Sequence, residues 1–275
     1  MKKLLIILIT GLLVLSACAP SQPVSTSGQD VSTLIALTLE PITPALSITT
    51  VQVQGLPVSF NNVTFDIPLE LNANAAASSS TDVEFPYINP SNGPMPEHVV
   101  FKLSNYPAAG DAKIMVFKAS DYASYGQQDA VTALTAGQDT AQPLPDALLY
   151  GKIYAQPKPV QFQNGHGVRY LYEPDVAIAP ITDKDLFYYY EGVTNDGEYF
   201  VSAVLYLHTT FLVPDGNKDT ITPPDGIPFN WGPDLDYAKY KTDVVQKLND
   251  TPADNYTPSL SVLDKMISSL LVAKP

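Results

Sequence analysis

The chain has 275 residues, of which 15 are Lys or Arg and 28 are Asp or Glu, a formal net charge of -13. An acidic chain with no basic patch repels phosphate backbones, which argues against nucleic acid as a partner. Hydrophobic residues make up 45%, with 16 Tyr and 10 Phe, so the composition is not that of a disordered chain, and 25 prolines mark loops and linkers.

Lys2 and Lys3 precede an apolar run over residues 4–15, broken only by Thr10 and Gly11. A positive start followed by a short apolar segment reads as a secretory signal. The run is shorter than the roughly 20 apolar residues that a membrane-spanning helix needs. Leu15-Ser16-Ala17-Cys18 then resembles the bacterial lipobox, in which the cysteine receives a diacylglycerol and becomes the first residue after cleavage. Cys18 is the only cysteine, and a single thiol in an exported protein needs such an explanation because it has no internal partner. One acyl chain binds a membrane marginally, whereas two or three anchor it stably. The sequence therefore predicts a signal peptide over 1–17, a tether over 18–50 and a single globular domain over 51–275. The predicted location is the bacterial cell envelope, with the lipid anchor holding the protein on the extracytoplasmic side of a membrane.

Residues 19–28, APSQPVSTSG, read as a flexible spacer. Asp30 is placed to cap a short helix that Pro41 and Pro44 end. From residue 51 the texture becomes β. Val58-Ser59-Phe60 and Val63-Thr64-Phe65 flank Asn61-Asn62, and a long loop is expected over 72–96. Strands are predicted over 98–103 and 113–117, with a Pro/Gly turn at 107–110, followed by helical spacing over 120–134.

Two hairpins follow. Residues 160–163 and 168–172 alternate around Asn164-Gly165-His166-Gly167, and an Asn-Gly pair accommodates positive φ at both turn positions. Residues 186–191 and 199–207 flank Asn195-Asp196-Gly197. In the second arm Tyr199, Val201, Ala203, Leu205 and Leu207 share one face, and Phe200, Ser202, Val204, Tyr206 and His208 the other. Both faces are largely apolar, so each needs a cover. Amphipathic helices expected over 237–248 and 259–271 supply one, the latter with a stripe of Leu260, Leu263, Ile267, Leu270 and Leu271.

Antiparallel hairpins with helices at the end predict an α+β fold: an antiparallel sheet built from hairpins, covered by helices, with a flexible N-terminal lipid-anchored tether. The stretch FQNGHGVRYLYE…DLFYYYEGVTNDGEYFVSAVL resembles an uncharacterised lipoprotein domain of Chloroflexota-type bacteria over roughly residues 95–215. The layout is similar to the PsbP/Mog1-like fold. The resemblance implies a fold and carries no established active site.

Residue chemistry narrows the function further. His98, His166 and His208 have neither the spacing of a zinc site nor a cysteine to help them. No GxSxG elbow and no Gly-rich phosphate loop occurs. Among the histidines, His166 sits between two glycines at an expected hairpin tip, and His208 ends a strand as a half-buried packing residue. Asp215, Asn217 and Asp219 alternate oxygen ligands as calcium loops do, but Thr220 and Gly226 stand where the full pattern has Gly and Glu, so at most weak calcium binding is expected and no other cofactor. In Phe187-Tyr188-Tyr189-Tyr190, alternation sends Tyr188 and Tyr190 to one face. With Tyr170, Tyr172 and His166 they make a predicted ligand surface, able to stack sugars or grip a peptide. The expected function is thus a membrane-anchored, non-catalytic binding or accessory module for an envelope protein, peptide or glycan. The alternative is an extracytoplasmic hydrolase with a dispersed site at His166 or His208. A scaffold role in an envelope complex follows only by analogy of layout.

Overall fold

The computed structural model describes residues 55–82, 94–137, 151–174 and 177–274. The chain divides into two units, Met1–Thr50 and Val51–Pro275, and the described residues belong to the second. Cys18, the signal, the tether and the helix expected after Asp30 lie outside the described residues. Among those described, no helix is long and apolar enough to cross a membrane.

The first strands are β1 (Gly55–Phe60) and β2 (Val63–Pro68). They form the predicted hairpin around Asn61-Asn62, with Phe60 opposite Val63 and Asn61 at φ 52°. The expected loop over 72–96 needs correction, because Asn74–Ser80 forms β3 and pairs along its whole length with β4 (His98–Ser104). Its sequence, NAAASSS, has little β propensity and so does not announce a strand. Backbone pairing with the otherwise bare edge of β4 supplies the order that these small side chains do not.

After β4 come β5 (Lys113–Lys118), α1 (Ala119–Tyr122), a π turn at Ala123–Gln127 and α2 (Gln128–Thr135). The predicted single helix is thus two, broken where Gly126 takes φ +110°. The hairpins β6 (Gly151–Phe162)–β7 (Gly165–Pro174) and β8 (Phe187–Thr194)–β9 (Tyr199–Tyr206) are both present. The second turns at Gly197, φ +72°, as expected. The first turns earlier than expected, at Gln163-Asn164, with Phe162 opposite Gly165 and no positive φ at Asn164 or Gly165. Asn164 has a different task there. Its side chain donates to Val272 C=O (2.7 Å) and accepts from Val272 N–H (3.1 Å), pinning the turn to the C-terminal strand.

Seven strands make one antiparallel sheet in the order β3-β4-β5-β9-β8-β7-β6. The chain closes with α3 (Tyr237–Asp250), α4 (Leu260–Ser268) and β10 (Leu271–Val272), which pairs with β2 in a small second sheet. Asp236 caps α3 by accepting from Lys239 N–H (2.9 Å), satisfying a donor that the first turn leaves free. The stripe Leu260, Leu263, Ile267 and Leu270 is fully buried, while Leu271 leaves the helix for β10.

Each face of the large sheet has its own core. Val201, Ala203, Leu205, Tyr188 and Tyr190 pack with α3, α4 and the small sheet. Phe200, Val204, Tyr170, Tyr172 and Tyr189 pack under α1 and α2. The fold is α+β, with antiparallel sheets and helices on both sides of the larger one.

Candidate functional site

The predicted tyrosine surface is not open. Tyr188 and Tyr190 are 0% exposed, Tyr170 1% and Tyr172 5%. The first two lie on the α3/α4 side and the other two on the α1/α2 side. The physical reason is their position in β7 and β8, inner strands with helices over both faces, where alternation can only choose between two cores. Their hydroxyls are used internally. Tyr188 donates to Asp264 Oδ1 (3.1 Å), Tyr190 to Val160 C=O (3.1 Å) and Tyr170 to Glu191 Oε2 (3.0 Å). Burial pushes the phenols of Tyr170, Tyr188 and Tyr190 well above their ordinary range.

Around Tyr188 the contacts tie α4 to the sheet. Asp264 on α4 receives Lys158 Nζ at 2.7 Å and Arg169 Nε at 3.3 Å, while Arg169 is 3% exposed and its guanidinium carbon sits 5.9 Å over the Tyr188 ring. Arg169 also donates to Gln156 C=O (2.6 Å).

On the other face, Glu191 is 0% exposed. It accepts from Tyr170 (3.0 Å) and from Tyr189 (3.2 Å). Burial pushes its carboxyl up to about 8, against the lowering effect of those two donors. Sequence reasoning passed over it. The signal was available, since alternation puts Glu191 on the inward face of Phe187, Tyr189 and Val193.

The histidines are not gathered into one site. His98 is buried, stacked on Phe117 at 4.6 Å, with Nδ1 2.9 Å from Pro96 C=O. His166 is not a hairpin tip; it lies within β7, half-buried, with Nε2 3.0 Å from Leu134 C=O at the end of α2. His208, expected to be half-buried, has a side chain 56% exposed. Its Nδ1 is hydrogen-bonded to Asp183 Oδ2, and the other oxygen of Asp183 accepts from Thr209 N–H. The carboxylate thereby orients the imidazole.

In the acidic loop, Asp215 Oδ1 accepts from Asn217 N–H (3.0 Å) and Thr220 Oγ1 (2.6 Å), and Asn217 Oδ1 accepts from Asp219 N–H (3.1 Å). The Thr220 bond is the main cause holding the Asp215 carboxyl below its usual range. The oxygens thus serve the turn itself. Among the described residues no group of three or more His, Cys, Asp or Glu is placed to hold a metal ion.

The outward aromatic chemistry lies in the long connection before α3. Trp231, the sole tryptophan, is 49% exposed. It stands edge-on to Phe229 at 4.8 Å, and Phe229 stands edge-on to Tyr240 at 5.0 Å, so a ladder of rings runs from the buried Tyr240 outward. Tyr237 stacks parallel to Tyr240, and Asn230 Oδ1 accepts from Gly232 N–H (2.9 Å), which fixes the turn carrying the indole. Between Lys218 and Lys239 the loop has Asp219, Asp225, Asp234 and Asp236 and no basic residue. The sequence signal was a lone Trp amid Pro, Gly and Asp, the composition of an exposed loop.

No protein family, no curated protein and no solved structure matches the chain.

Proposed function

We propose that the protein is a lipoprotein held on the extracytoplasmic side of a membrane through Cys18, and that its folded domain is a binding or accessory module for an envelope protein, peptide or glycan. The contact surface is the Trp231 loop and not the tyrosines of the sheet. The observation that carries this reading is the ring ladder, which holds a half-exposed indole on a rigid base. A preordered aromatic loses little freedom on binding, and tryptophan is a frequent anchor of interfaces. As the sole tryptophan, it also reports on itself. With the full-length protein in micelles, solubilised envelope proteins or purified wall glycan should blue-shift its emission and protect it from acrylamide. Emission indifferent to every fraction counts against the reading.

One observation favours the hydrolase alternative: the exposed His208 oriented by Asp183, the arrangement that sets a general base. That reading expects turnover of ester, peptide or glycoside probes that His208→Ala removes. Turnover unaffected by the substitution, or none in the wild type, dismisses it.

A further inference from the structure

The helices α1 and α2 roof the second face of the sheet through a small number of ties. Tyr122 of α1 is wedged between Phe117 and Phe200, its ring centroid 4.4 and 4.6 Å from theirs. Ala119 N–H donates to Glu198 C=O at 2.9 Å, and His166 Nε2 meets Leu134 C=O at 3.0 Å. The roof is bent in its middle, at the π turn. There Gly126 takes φ +110°, and an added Cβ would meet nothing within 4 Å. The glycine thus serves the bend rather than tight packing, and π turns inside helices are frequently found at functional sites.

Beneath this roof lies Glu191, and among the described residues no cation faces it. Its cross-strand row runs Val100, Met115, Ser202, Glu191, Val168. The basic residues on the same face, His98, Lys113 and His166, each stand two positions along their strands from that row. From the roof, α2 turns Ala130, Val131, Ala133 and Leu134 inward, while Asp121 and Asp129 are exposed. What does reach the carboxyl are phenols: Tyr170 and Tyr189 by hydrogen bond, with Tyr122 from α1 and Tyr154 from β6 close enough to feel its charge. Phenols can bond to a carboxylate but cannot neutralise it.

We propose that Glu191 is the latch of this roof: neutral, it lies shut beneath α1 and α2, and on ionisation the roof opens at the Gly126 bend and admits water to Glu191, Tyr170 and Tyr189.

The direction with pH follows from where the proton is held. In the closed state burial places the carboxyl at about 8 instead of 4.5, and an open, hydrated roof returns it to the ordinary value. Between these limits the closed form binds more protons, so each pH unit favours opening about tenfold. Above about 8 both forms are ionised and the effect levels off. Tyr170 and Tyr189, which burial raises well above 10.0, stay neutral throughout.

Hydrogen exchange on the full-length lipidated protein in micelles, expressed as protection factors, tests this. From about pH 5 to about pH 8 the amides of α1 and α2 should lose roughly tenfold protection per unit and then level off, always exchanging faster than those of β7, β8 and β9. Glu191→Gln should flatten the profile, and His166→Asn should leave its slope intact. A flat wild-type profile, a roof that exchanges only together with β7–β9, or a slope that His166→Asn removes would overturn the proposal. The wild-type profile decides even where Glu191→Gln does not fold.

Discussion

Tyr188 shows how one side chain separates a recognition surface from a core. It is fully buried, spends its hydroxyl on Asp264 and carries the Arg169 guanidinium over its ring. Tyr188→Ser should therefore cost about 3–5 kcal/mol, the usual range for emptying a large aromatic site, read as a lower midpoint in urea or heat. Unchanged melting would return Tyr188 to the surface. The face of each tyrosine was legible from alternation, and Tyr188 and Tyr190 do share one. Whether that face was open was not legible, because the covers arrive from residues 119–135 and from the C-terminal helices, remote in sequence. Glu191 illustrates the same point: alternation places it on the face of Phe187, Tyr189 and Val193, and only the cover over that face shows that the acid is buried.

At the level of elements, turn chemistry decided how far the sequence could be read. The β8–β9 hairpin follows its Asn-Asp-Gly signal, since Gly197 takes the positive φ that the turn needs and Asp196 accepts from Thr194 Oγ1 (2.6 Å) and Glu198 N–H (3.1 Å). Those bonds, the Thr194 one first, hold the Asp196 carboxyl down at about 2, so their contribution is present at neutral pH and fades as pH falls through that value. Gly197→Val should destabilise the domain by on the order of 1–3 kcal/mol. A Cβ there meets only Thr135 Cγ2, at 3.7 Å, so the cost is one of backbone conformation and not of crowding. Melting like wild type would contradict it. The β6–β7 turn shows the limit, because Asn164 is claimed by Val272, a partner 108 residues away. Strand β3 shows another, since its order comes from the partner edge and not from NAAASSS itself.

Among the described residues of the whole molecule, most large apolar side chains close the two faces of one sheet, while the Trp231 indole stands half-exposed outside them. Amphipathic patterning announced the first, and the α+β class with it. The second depends on the fold of an irregular loop, which no periodicity describes. The proposed lipidation of Cys18 belongs at this scale because it would decide where the domain stands. Cys18→Ala should abolish incorporation of labelled palmitate and free the protein from the membrane, and equal labelling of the variant would end the lipoprotein reading. The binding claim itself is tested most directly by position-resolved photocrosslinking in intact cells, with a photoreactive residue placed in turn at 231 and at Lys265, an exposed site on α4. The account predicts a discrete adduct from position 231 and none from 265. No adduct from 231, or the same adduct from both positions, would contradict it.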